Sequence, residues 1–180
     1  MSNLRLINET TVSSSVTSVN VTDVFSADFD VYKIVYNNFF ADGQDNMNLS
    51  FINSFGSEVR GSSDYGYADL NCQTNSSSFT QSKDASNDDI QSFAVIGNSS
   101  GESANGVIYV FNPFTSNYTY VLQQSSSSRA TVNQNKKGIG LLKQSSSITG
   151  FSFFIHGSDS FTSGVIKTYG LRVDSWWQEN

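Results

Sequence analysis

Hydrolytic chemistry needs a nucleophile beside a base, or two facing carboxylates, and the residues that could supply either are scattered through this chain. The only histidine, His156, stands beside Gly157 at the end of an alternating apolar run. Serines are so frequent that a Ser–His–Asp combination could be assembled almost anywhere; no nucleophile elbow of the G-x-S-x-G type is expected, and His156 is read as a strand-end histidine with a polar partner. The 12 Asp and four Glu lie mostly among Ser, Asn and Gly, where solvated turns explain them. In K-D-A-S-N-D-D, Asp84, Ser86 and Asp88 alternate like the opening of a calcium loop. The sixth position of that pattern is Asp89 rather than Gly, and the twelfth is Val95 rather than Glu. A calcium site assembled from several loops stays open. Lys136 and Lys137 form a dyad that reads as a solvated strand end rather than a phosphate site. Cys72, the single cysteine, lacks metal-ligand spacing and reads as a small, partly buried residue. No catalytic residue, metal or cofactor is assigned.

The aromatic residues carry more information. Trp176 and Trp177 are adjacent, so in an extended segment they point to opposite sides, and one domain seldom covers both. Either one side meets another subunit or an indole stacks on a ligand such as a sugar. The candidate subunit contacts are Trp176, Trp177, Leu4 and Leu6; the candidate aromatics for a glycan are Trp177, Phe161 and Tyr118.

These side chains must be held by strands. From Ile148 to Val173 two alternating runs flank a loop, His156 to Gly164, that contains glycine, and the pattern predicts a β-hairpin whose first arm is a central strand rich in phenylalanine. Upstream, strands are expected around Val19–Val21, Val31–Tyr36, Met47–Ile52, Ile90–Ile96, Val107–Asn112, Tyr118–Gln124 and Lys136–Lys143. The polar stretch Gln73–Asp89 and the run Ser125–Ser128 are expected to be loops. That makes about nine strands and no helix, an all-β antiparallel β-sandwich of jelly-roll type. Residues 1–15 form an N-terminal arm or edge strand, 16–173 a single domain and 174–180 an aromatic tail.

Charge and hydropathy exclude several classes. The net charge is −6, and residues 1–90 hold 12 acids and 4 bases, a balance opposite to the basic stripe of a nucleic-acid binder. No apolar run approaches a membrane span, and the N-terminus lacks the basic-then-apolar layout of a signal peptide. One cysteine cannot form an intrachain disulfide.

Several segments taken in order, V-F-S-A-D-F-D-V-Y-K-I-V-Y-N-N-F-F-A-D-G-Q-D-N-M-N-L-S-F-I-N-S-F-G, S-D-Y-G-Y-A, G-V-I-Y-V-F-N-P-F and the closing I-T-G-F-S-F-F-I-H-G-S-D-S-F-T-S-G-V-I-K-T-Y-G-L, resemble a family of small virion structural proteins of tailed bacteriophages, notably of marine and cyanobacterial hosts. The match covers roughly residues 16–173, and the tail S-W-W-Q-E-N extends beyond it. The resemblance implies a jelly-roll-like, non-enzymatic subunit of a tail fibre, spike or head decoration, assembled in the host cytoplasm and functioning in the virion. It also implies structural roles for Gly157, Gly164 and Gly170. Expected partners are copies of the chain, a trimer first among them, other virion proteins and, in an alternative reading, a host surface glycan. Neither nucleic acid nor membrane insertion is expected.

Overall fold

The computed structural model describes residues 3–172, in which thirteen strands and no helix are found. They are β1 (Leu4–Val12), β2 (Ser18–Val21), β3 (Val31–Ala41), β4 (Asp45–Asn53), β5 (Glu58–Val59), β6 (Tyr65–Gln73) and β7 (Thr80–Asn87). There follow β8 (Ile90–Ile96), β9 (Ala104–Phe111), β10 (Thr119–Arg129), β11 (Val132–Leu142), β12 (Ile148–Ile155) and β13 (Phe161–Leu171). All pairings are antiparallel. Eight strands form one sheet in the order β1-β13-β3-β9-β10-β11-β6-β7. The smaller sheet runs β2-β12-β4-β5, with β8 also pairing β4.

The two sheets share a core that the alternation predicts. Tyr32, Ile34 and Tyr36 of β3 point inward and are fully buried, as are Phe151 and Phe153 of β12. Tyr36 of the large sheet meets Phe153 and Phe93 of the small one edge to face, with ring centroids 5.6 and 5.5 Å apart. Each buried phenylalanine contributes about 1.5–3 kcal/mol from apolar area alone. The buried Tyr65 phenol keeps its hydrogen bonds: Oη donates to the Val59 carbonyl and accepts from the Phe51 N–H, at 2.8 and 2.9 Å.

The predicted hairpin is not one. β12 pairs with β2 and β4 in the small sheet, whereas β13 pairs with β1 and β3 in the large sheet, so residues 156–160 cross between sheets. A glycine-containing loop between two alternating runs fits either connection, and both faces of β12 are buried, which a central strand requires but a hairpin arm does not. The turn uses Gly157 at φ +98°, and Gly164 and Gly170 lie where a Cβ would come within 2.6 Å of the Phe39 and Phe29 rings.

Both expected loops contain strand. β7 lies within Gln73–Asp89 as an exposed edge strand paired only with β6. The serine run continues β10, pairing Ser125–Ser128 with Lys136–Asn133 of β11. There inward serines alternate with outward ones, a period of two that carries no hydrophobic signal.

Candidate interaction surface

The outward side of the large sheet is as informative as its core. Directly opposed residues on antiparallel strands share a face, so the registers assemble rows that cross the sheet. One row runs Leu4, Leu171, Val31, Phe111, Tyr120, Leu141 from β1 to β11. The next runs Leu6, Tyr169, Lys33, Tyr109, Leu122, Ile139, Ala68 and ends at Lys83 of β7. Every member of the first row, and every member of the second but its two lysines, is apolar or aromatic, yet Tyr120 is 49%, Leu122 48% and Ile139 57% exposed. Between β9 and β7 this face dips into a groove of about 510 Å³, lined by Phe111, Tyr120, Leu122, Ile139 and Leu141 with Lys143 at its margin. Contiguous exposed apolar surface of this kind is a candidate interaction surface.

The sequence-derived residues distribute unevenly over it. Leu4 and Leu6 lie on this same face, in the first and second rows, at its β1 margin. Tyr118, 45% exposed, precedes β10 by one residue and the groove residue Tyr120 by two. Phe161 is not a surface aromatic: it is fully buried, edge-on to Phe39 at 5.2 Å, because the first position of β13, opposite Ala41 of β3, faces the shared core. Trp176 and Trp177 lie outside the described residues. Alternation of Leu122, Tyr120 and Ile139 with inward residues marks an apolar outer face in retrospect. A period of two does not tell an apolar outer face from a core one.

Two charged clusters lie elsewhere. Asp89, completely buried at the start of β8, accepts from Arg60 Nη2 at 3.2 Å and lies 3.0 Å from His156 Nε2. Burial pushes the Asp89 carboxyl up, Asp88 adds to that, and His156 and Arg60 oppose it. Arg60 also pairs with Asp88 and Glu58 and sits 4.3 Å over the Phe154 ring. His156 thus has the polar partner the sequence suggests, and Asp88 is engaged by Arg60 rather than held for a cation. Among the described residues no cluster of three or more His, Cys, Asp or Glu side chains is arranged to hold a metal.

The second cluster corrects two assignments. Lys136 is buried, not a solvated strand end: its Nζ donates to Ser92 O and Oγ, both at 2.7 Å, and pairs with Asp69 at 3.7 Å. Burial lowers the Lys136 pKa and raises that of Asp69, each opposed by the other's charge. Lysine on a strand of mixed polarity gives no sign of which side it occupies. Cys72 is exposed, on the outward side of β6.

One further pattern is Gly97-Asn98-Ser99-Ser100-Gly101, which has the spacing of a nucleophile elbow. It occupies the turn between β8 and β9, with no helix following, and the Ser99 N–H donates to the Glu102 carboxylate. The strand–turn–helix setting that gives an elbow its exposed nucleophile is missing there. No family model, no characterised protein and no solved structure matches the chain.

Proposed function

We propose that this chain is a non-enzymatic structural subunit of a bacteriophage virion, a jelly-roll sandwich at the particle surface that assembles through the outer face of its large sheet. The apolar rows across that face carry the reading. A protein working alone would expose such an area to water at a cost in solubility, whereas a subunit buries it against copies of itself or other virion proteins.

The order of strand pairing supports the jelly roll. Setting aside β5–β7 and β10–β11, eight strands remain, and they pair as nested couples: β1 with β13, β2 with β12, β3 with β9 and β4 with β8. A long antiparallel ribbon folded at its middle and rolled up gives that nesting, with its outer couple in one sheet and the next in the other. Jelly rolls serve in capsids and in lectins. The sequence resemblance favours the first, and a cyclic trimer on a tail fibre, spike or head is its simplest form.

Light scattering at micromolar concentration tests the assembly. The unaltered protein is expected as a defined oligomer and Leu122→Lys/Ile139→Lys as a monomer with unchanged far-UV circular dichroism. A monomeric unaltered protein would refute self-assembly through this face. The exposure of Tyr118 and Tyr120 beside one groove favours a second reading, stacking on a host glycan. On that reading Tyr118→Ala/Tyr120→Ala abolishes binding on a glycan array without changing the mass in solution.

A further inference from the structure

The outer face of the large sheet is basic as well as apolar. Lys33 and Lys83 stand in its second row, Lys167 and Lys137 in the row after that, and Lys143 at the margin of the groove. Among the described residues, Glu9, 3.3 Å from Lys167, is the only acid at an outward strand position of this sheet. Five lysines against one glutamate give the face a formal +4 in a chain of net charge −6, which leaves −10 for everything else. Two such faces laid against each other would bring +4 to +4, and like charges set together at an interface disfavour that pairing.

The complementary feature belongs to the other sheet. The strands of the small sheet contain no lysine or arginine, and Arg60, which follows β5, is engaged by Glu58, Asp88 and Asp89. Where β4 turns into β5, Phe55 is 90% exposed, the most exposed large hydrophobic side chain among the described residues. Its turn is tightly built. The Asn53 N–H donates to the Ser57 carbonyl and the Gly56 N–H to the Asn53 carbonyl, both at 3.0 Å. Asn53 Oδ1 accepts from the Phe55 and Ser57 N–H groups at 2.9 and 3.1 Å, and Gly56 takes the φ of +76° that the turn needs. A ring held out on so constrained a turn loses little freedom on docking, which suits it to anchor an interface.

From these two features we infer that copies of the chain meet head to tail: the groove between Tyr120 and Ile139 receives the Phe55 turn of a second copy rather than that copy's own groove. The inference rests on the assembly reading and deepens it by naming the occupant. The groove, about 510 Å³ and lined by aliphatic and aromatic side chains, is larger than a phenylalanine side chain, and its basic surroundings meet a sheet whose strands carry no base. Turn and groove are different parts of one chain, so every copy carries one of each. The contact therefore repeats around a closed ring or along a filament, and does not stop at a twofold pair.

Each half can be disabled alone. Phe55→Ser removes the ring from the turn and Leu122→Lys/Ile139→Lys spoils the groove; both change exposed side chains, so circular dichroism should be unaltered. By light scattering each variant is expected at the single-chain mass of 19.7 kDa, and an equimolar mixture of the two at twice that mass. In the mixture the intact groove of one variant accepts the intact turn of the other, and no further contact can follow. Phe55→Ser that keeps the oligomer of the unaltered protein would overturn the inference, as would a mixture that stays at the single-chain mass up to the highest soluble concentration. If Leu122→Lys/Ile139→Lys is monomeric in either of those cases, the assembly reading stands without it. An unaltered protein that is monomeric at every concentration refutes the assembly reading and the inference together.

Discussion

At Lys136 two buried charges depend on one another. Its ammonium is held by Ser92 and Asp69 between β11, β8 and β6, where water is largely excluded. Lys136→Met leaves Asp69 charged and unpaired, and should cost about 3–5 kcal/mol, whereas Lys136→Met/Asp69→Leu should recover most of that loss because the desolvation of both charges disappears. Thermal melting checks the cycle: at this chain length 1 kcal/mol moves the midpoint by about 2–4 °C. Asp89 supplies a pH test. Its native pKa is raised, chiefly by burial, so the folded state holds the proton more tightly than the unfolded chain. Its contribution to stability is complete below the ordinary carboxylate value and is lost as pH rises through the raised native value. Asp89→Asn should therefore flatten the decline of melting temperature with pH above about 4, the ordinary aspartate range. These two aspartates sit in sequence among Ser, Asn and Gly like their solvated fellows. Their burial follows from long-range pairing, β6 with β11 for one and β8 with β4 for the other, which local sequence does not encode.

Strand by strand, legibility follows the chemistry of alternation. Where inward positions are apolar, as at Tyr32, Ile34 and Tyr36 or Phe151 and Phe153, the period of two can be read directly. Where inward positions are Ser125 and Ser127, or where neither side is buried, as in β7, the strand exists because a neighbour offers its backbone, and composition gives no hint of it. The crossover from β12 to β13 escaped for a different reason: pattern specifies a strand and its faces, not the sheet that receives it. Two measurements follow. Hydrogen exchange should be slowest in β12, which is flanked by strands on both sides and buried on both faces, and fastest in β7, whose outer edge has no partner among the described residues. Gly164→Ala should cost about 1–3 kcal/mol, since its methyl group would meet the Phe39 ring at 2.6 Å. A smaller effect by chemical denaturation would mean that Phe39 can move aside.

For the molecule as a whole, the all-β antiparallel class was legible, and the apolar outer face was not, because a strand with two apolar faces looks the same whether a second layer of its own chain or another molecule covers it. The face spans β1 to β6, wider than any single ligand needs. Its removal in Leu122→Lys/Ile139→Lys should raise solubility while leaving the core intact, at a cost of about 0.2–1 kcal/mol because the two lysines stand directly opposed across β10 and β11. Aggregation onset at high concentration checks the first half and calorimetry the second.

The pairing of Leu4 with Leu171 has a consequence for how the molecule comes to exist. β1 can find β13 only after β13 has emerged from the ribosome, and β2 likewise waits for β12. Synthesis therefore cannot complete either sheet progressively, and β1 and β2 stay without these partners while the strands between are made. Topologies dominated by such distant pairings fold in milliseconds to seconds rather than microseconds.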